Sequence, residues 1–106
     1  MAIPRYWAKD IWLAAIGQIT GNDPGDIDPT ENWDTYMSKA QLGAAFDLTN
    51  AGLLGQGYTT TWKLMSLAAT NPIDKQIDLL AASTNKAGPP QALHESLARF
   101  AKRRSQ

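Results

Sequence analysis

The 106-residue sequence contains no cysteine. This absence excludes disulfide frameworks, thiolate nucleophiles, iron–sulfur clusters and cysteine-ligated zinc. Long apolar runs are also missing, since the most apolar stretch is 11–19 and a membrane span needs roughly 20 such residues. Pro4 and nearby charges interrupt the N-terminus before the apolar core of a signal peptide develops. The sequence therefore predicts a soluble protein, cytoplasmic or virion-associated, with no signal peptide and no membrane partner.

Recognisable catalytic machinery is also missing. His94 is the only histidine, and no nucleophile turn of the Gly-x-Ser-x-Gly type accompanies it. The sequence has no Walker phosphate loop, no dinucleotide fingerprint and no His-Glu-x-x-His zinc motif. We therefore expect a protein that is not an enzyme and that uses no cofactor.

The formal net charge is zero, so no global field attracts nucleic acid or anionic lipid. The charges are nevertheless unevenly distributed, because residues 23–34 carry −5 and residues 86–106 carry +4. The acidic candidates for a partner contact, in the loop 22–30, are Asp26 and Asp28. The basic candidates, at the C-terminal helix end 99–104, are Arg99, Lys102, Arg103 and Arg104. Opposite charges at two places on one chain favour a head-to-tail contact between copies.

The carboxylates of the acidic loop invite comparison with a calcium site, because hard cations prefer oxygen ligands. Their spacing does not match the EF-hand template, which needs ligands at alternate positions and a glycine at the sixth. Pro24 and Pro29 also stiffen the loop. We expect a solvated loop that caps a helix, and no metal site.

Apolar residues recur at three- and four-residue spacing through most of the chain, as they do on amphipathic helices. The first helix is expected over 4–20, with Gly21 as its left-handed end. A second helix is expected to begin after a cap at Thr30 or Asn32 and to end before Gly52 or Gly55.

Three further helices complete the expected fold. One of Thr59–Thr61 is expected to cap the third, and Asn71-Pro72 to begin the fourth. The loop 83–90 then leads to a fifth helix, whose apolar residues are Leu93, Leu97, Phe100 and Ala101. The stretch 58–62 has the composition of a strand but is short and isolated. The sequence therefore predicts one all-α domain, 1–106, folded as a compact bundle of four to five short helices.

Four tryptophans are many for so short a chain. Trp12 and Trp33 fit core positions, whereas Tyr6 and Trp7 lie at the very start, where burial is harder. Aromatic residues near arginine are enriched in protein–protein interfaces, so this pair is a candidate contact. The main prediction is a non-enzymatic structural or protein-interaction subunit, for example of a viral particle or another multi-copy assembly. Its expected partner is a protein, in a homo-oligomer or a larger assembly.

Two alternatives remain open at this point. Residues 47–63 can be aligned with a helix-turn-helix DNA-binding regulator whose recognition helix presents Thr59, Thr60, Thr61 and Lys63. Only Lys63 is basic there, and DNA binding draws much of its affinity from several phosphate-neutralising cations. The second alternative is a protein inhibitor that occludes a partner's site, which the same features fit equally well.

Overall fold

The computed structural model describes residues 2–86, and the described part of the chain is mostly helical. Its α-helices are α1 (Arg5–Thr20), α2 (Lys39–Gly55), α3 (Leu64–Ala69) and α4 (Ile73–Ser83). Two 3-10 turns, Pro24–Asp26 and Trp33–Thr35, lie between α1 and α2. Two short strands, β1 (Tyr58–Thr60) and β2 (Thr84–Lys86), form an antiparallel pair.

The predicted first helix is confirmed at both ends. Pro4 occupies the N-cap of α1, where its missing N–H costs no hydrogen bond. Gly21 ends the helix with a φ of 82°, in the left-handed region that glycine adopts without steric cost. Its N–H donates to the carbonyl of Gly17 at 2.8 Å, which gives a carbonyl of the last helical turn a hydrogen-bond partner.

The predicted start of the second helix is wrong, because α2 begins only at Lys39. Ser38 caps it in a reciprocal box: its hydroxyl accepts the N–H of Gln41, and the Gln41 side chain accepts the N–H of Ser38. This arrangement satisfies two backbone donors at once, which Thr30 and Asn32 do not achieve.

The expectation of an all-α fold is confirmed in part: the described residues are mostly helical, but two short strands are also present. Thr59 of β1 pairs with Asn85, which lies inside the predicted loop 83–90. Ala2 adds an isolated bridge to Asn85, so the N-terminus, β1 and β2 meet in one place. The two strands are far apart in sequence, and neither has the alternating apolar pattern that predicts a strand.

The core centres on Trp12, which is fully buried on α1. Its indole N–H donates to the side-chain oxygen of Gln76 on α4 at 3.1 Å. The amide nitrogen of Gln76 donates in turn to the carbonyl of Leu67 on α3 at 2.8 Å. The Trp62 ring lies edge-on to Trp12 with 5.2 Å between ring centroids. Three helices are thus joined around one buried polar pair.

The expected fifth helix and its apolar residues lie outside the described residues, as does the basic end 99–104. The single-domain boundary 1–106 therefore stays a prediction.

Gly17 of α1 lies close against the backbone of the loop that follows the helix. A Cβ at this position would lie 2.6 Å from the backbone oxygen of Asn22, so Gly17→Ala must push the following loop away from α1. We expect a loss of about 1–3 kcal/mol in the free energy of unfolding, measured by urea titration. The matched control is Gly43→Ala on α2, whose Cβ would meet only Leu64 at an ordinary 3.7 Å. This control should gain about 0.5–1 kcal/mol, because alanine is the better helix former. Equal effects at both glycines would contradict the close approach.

Candidate interaction surfaces

The predicted N-terminal contact pair divides between two sides of α1. Tyr6 projects into solvent with 71% of its surface exposed. Trp7 is half-buried, with its ring edge-on to Tyr58 of β1 at 5.1 Å between centroids. Consecutive helical residues face directions about 100° apart, so two neighbours cannot serve one flat contact. Tyr6 remains a contact candidate, whereas Trp7 mainly packs within the chain.

Arg5 is engaged within the fold. Its guanidinium lies 2.7 Å from Asp74 and 2.6 Å from Asp78, both on α4. The side-chain hydrogen bond to Asp78, followed by the one to Asp74, raises the pKa of Arg5. These ion pairs are largely exposed and hold the start of α1 against α4 with modest energy. Arg5 therefore forms its ion pairs within the fold, with α4.

The acidic loop packs beside the outer side of α1. Lys9, Asp10 and Leu13 of this helix, together with loop residues 24–29, line a shallow open depression. We call this surface the acidic face. Tyr6 lies three and four residues before Lys9 and Asp10, a spacing that makes them neighbours on a helix surface. Tyr6 therefore lies one helical turn from the α1 residues of the acidic face.

Backbone hydrogen bonds fix the shape of the acidic loop. The N–H of Asp28 donates to the hydroxyl of Tyr36 at 2.8 Å. The carbonyl of Pro29 accepts the N–H of Asp74, and the carbonyl of Glu31 accepts the N–H of Ile73. The loop thus satisfies donors at the start of α4, and its Ile27 is buried in the core. Its carboxylates therefore project from a well-anchored backbone.

The structure also shows a groove between α1 and α2 that sequence reasoning missed. It has a volume of about 420 Å³ and is open along one side. Its α1 wall consists of Trp7, Ile11, Ala14, Ala15 and Gln18, and its α2 wall of Leu48, Thr49, Gly52, Leu53 and Gln56. Nothing in the sequence identified it, because the groove exists only once these two helices are known to pair.

Three further apolar side chains are exposed, at Leu54 (68%), Leu64 (38%) and Met65 (84%). Leu54 and Gly43 lie on one face of α2, three turns apart, and Gly43 lies close to Leu64. Scattered exposed apolar residues are normal on a protein surface. We assign no contact to these three on exposure alone.

The threonines of the DNA-binding alternative do not lie on a recognition helix, so that placement is wrong. Thr59 and Thr60 belong to β1, and Lys63 is the N-cap of α3. The N–H of Thr61 donates to the carbonyl of Ser83 at 3.0 Å, which extends the pairing of the strand region. The expected helix cannot form here while these residues hold β2. DNA binding itself stays a prediction, without the geometry that suggested it.

The C-terminal candidates Arg99, Lys102, Arg103 and Arg104 lie outside the described residues, as does His94. Of the two regions in the expected head-to-tail contact, the structure therefore describes the acidic loop but not the basic end.

Asp28 provides a test of the loop geometry. One of its carboxylate oxygens accepts the hydroxyl of Thr30 at 2.7 Å and the N–H of Thr30 at 2.9 Å. The bond from the side chain, followed by that from the backbone, lowers the pKa of Asp28 below its ordinary value of 3.8. These bonds stabilise the fold above that ordinary value, and the contribution is lost as the pH falls through the lowered folded-state pKa.

We expect Thr30→Val to raise the pKa of Asp28 toward the ordinary value, because the stronger of its two hydrogen bonds is removed. An NMR titration of the side-chain carboxyl carbons measures this directly. The control Thr35→Val, in the next turn of the chain, should leave Asp28 unchanged. An unaltered Asp28 titration in Thr30→Val would contradict the hydrogen-bond geometry.

Among residues 2–86, no group of three or more histidine, aspartate or glutamate side chains is placed to hold a metal ion. Within the same range, no helix is long and apolar enough to cross a membrane. Comparison of the chain with protein-family models, with curated proteins and with solved structures finds no match. The functional argument therefore depends on the surfaces described above.

Proposed function

We propose that this protein is a non-enzymatic interaction subunit that associates with further copies of itself through the acidic face. The observation that carries the proposal is the continuity of two separately predicted contacts. Tyr6 is exposed one helical turn before Lys9 and Asp10, and these two residues line the depression together with Asp26 and Asp28. An exposed aromatic ring beside an unbalanced charged surface combines an apolar anchor with electrostatic selection of the partner.

The charge of the acidic face supports a basic partner. Within residues 2–86, the ion pairs that form involve Arg5 with α4, and the carboxylates of Asp10, Asp26 and Asp28 take part in none. Lys9 is the single basic residue in the lining of the depression. Because the loop backbone is anchored, these carboxylates need little further ordering when a partner binds.

The chain supplies a basic region of its own at 99–104. A contact between this region of one copy and the acidic face of the next is heterologous, so it closes into a ring or continues as a filament. Such a contact suits a multi-copy assembly, of which a viral particle is one example. Complementary charges speed the encounter and select the orientation, and screening by salt weakens both effects.

The test is the mass of the purified protein in solution, measured by light scattering at low and at high salt. We expect association at low salt that declines as salt rises. Asp26→Lys/Asp28→Lys and, separately, Arg103→Glu/Arg104→Glu should each weaken association about tenfold or more, which corresponds to about 1.4 kcal/mol. Mixing the two variants should restore association, because each then offers the charge that the other needs. Asp47→Lys, an exposed reversal on α2, is the matched control and should behave as the parent protein.

Three results would count against the proposal. A parent protein that is monomeric at every salt concentration would contradict self-association. An oligomer of the same mass in both charge-reversed variants would contradict a role for the acidic face. Failure of the mixed variants to associate, with each variant folded, would contradict head-to-tail pairing.

A further inference from the structure

The groove between α1 and α2 contains a polar group that the described residues leave without a partner. Thr49 lies in its α2 wall with 3% of its surface exposed. Among residues 2–86, no group forms a hydrogen bond with its hydroxyl oxygen. A buried hydroxyl without a partner destabilises the fold, and a segment that supplied a hydrogen bond would relieve that cost. The rest of the wall is largely apolar, with half-buried Ile11 and Leu48. An apolar groove with one unpaired hydroxyl is therefore suited to bind a further segment that brings apolar side chains and a hydrogen-bonding group.

The described chain ends beside this groove. Lys86, the last residue of β2, pairs with Tyr58 of β1. The ring of Tyr58 contacts Trp7, which lines the groove on its α1 side. Gln56, only two residues before β1, lines it on the α2 side. The remaining residues, 87–106, therefore start from one end of the groove.

The sequence of 87–106 matches the groove in spacing and in length. Leu93, Leu97 and Phe100 are spaced four and three residues apart, which places them on one face of a helix. Such a helix would cover about 10 Å from Leu93 to Phe100, and the α1 wall from Trp7 to Gln18 extends about 16 Å. The seven residues from Lys86 to Leu93 reach at most about 25 Å when extended, so the first leucine can enter the groove.

We propose that residues 87–106 of the same chain dock in the groove between α1 and α2, with Leu93, Leu97 and Phe100 as the buried face. The occupant is this segment rather than a foreign ligand, because its attachment point is beside the groove and its effective concentration there is high. Ser96 falls between Leu93 and Phe100 on the same helical face. Its hydroxyl is a group of the right kind to pair with that of Thr49.

The docking does not depend on the proposed self-association. In a helical register, Arg99 and Lys102 fall on the side opposite the apolar residues. A docked segment would leave these two cations facing away from the groove, where a second copy could bind them. Arg104 falls on the apolar side, four residues after Phe100, so Arg103→Glu/Arg104→Glu tests self-association only. Docking is tested separately, with variants that leave both arginines in place.

The absence of cysteine makes a distance test direct. Ala98→Cys, off the apolar face, gives a single site in the full chain for a nitroxide spin label. At the high salt that suppresses the proposed self-association, the amide signals of Ala14, Gln18 and Gly52 should broaden more strongly than those of Ser66 and Asn71, which do not line the groove and serve as references. Reduction of the nitroxide should restore every signal. At the same high salt, a sample that mixes spin-labelled, isotopically unlabelled chain with isotopically labelled, cysteine-free chain should show no broadening of the groove signals, because the docking is within one chain.

A second pair of variants separates docking from folding. Leu97→Ser/Phe100→Ser, added to the labelled chain, should reduce the broadening of the groove signals to the level of the reference residues. Lys102→Ser, the matched control on the opposite side of the segment, should leave the broadening intact. The signals of buried core residues report whether each variant is folded. Groove signals that never exceed the references would overturn the proposal, as would broadening that appears only in the mixed sample.

Discussion

The buried side-chain amide of Gln76 is the interaction on which the arrangement of the helices depends. It is fully enclosed, yet both ends are satisfied: its oxygen accepts the indole N–H of Trp12, and its nitrogen donates to the carbonyl of Leu67. A buried amide is stable only when its partners are placed within hydrogen-bond distance, since each unmade bond costs about 1–3 kcal/mol. This requirement fixes α4 relative to α1 and α3 far more narrowly than apolar contact alone would.

Aromatic contacts extend this constraint to α2. The ring of Trp62 lies edge-on to both Trp12 and Phe46, with 5.2 Å between centroids in each pair. The indole N–H of Trp62 donates to the side chain of Asn50 at 2.6 Å. Edge-on aromatic pairs add about 0.5–1.5 kcal/mol each beyond the area they bury. Trp12 thus sets the rotation of α1, and this rotation directs Tyr6 toward the acidic face and Trp7 toward the groove.

The local elements were the predictable part of this fold. Pro4 and Gly21 bounded α1 because helix ends have strong single-residue preferences. The start of α2 was misplaced because several residues before Ser38 also suit a cap, and only the reciprocal bond with Gln41 decides between them. The capping preferences of single residues do not show which of several possible N-caps is used.

The non-local features could not be read from the sequence. The strands pair across more than twenty residues, and their threonines and asparagine carry no alternating pattern that would announce them. The candidate surfaces were likewise predictable only in the parts that depend on local sequence. Asp26 and Asp28 were found as a charge run, but their position beside Lys9 and Asp10 depends on how the loop packs on α1. The groove had no sequence signal, because its walls come from two helices whose pairing is set by buried contacts.

The most direct test of this account is a double-mutant cycle between Trp12→Phe and Gln76→Leu, followed by urea unfolding. Each single variant leaves a buried polar group without its partner, whereas the double variant removes both members of the pair. We expect a coupling energy of about 1–3 kcal/mol, with the double variant less destabilised than the sum of the single variants. Additivity within about 0.5 kcal/mol would contradict the account, because the buried amide would then not hold α1 against α4.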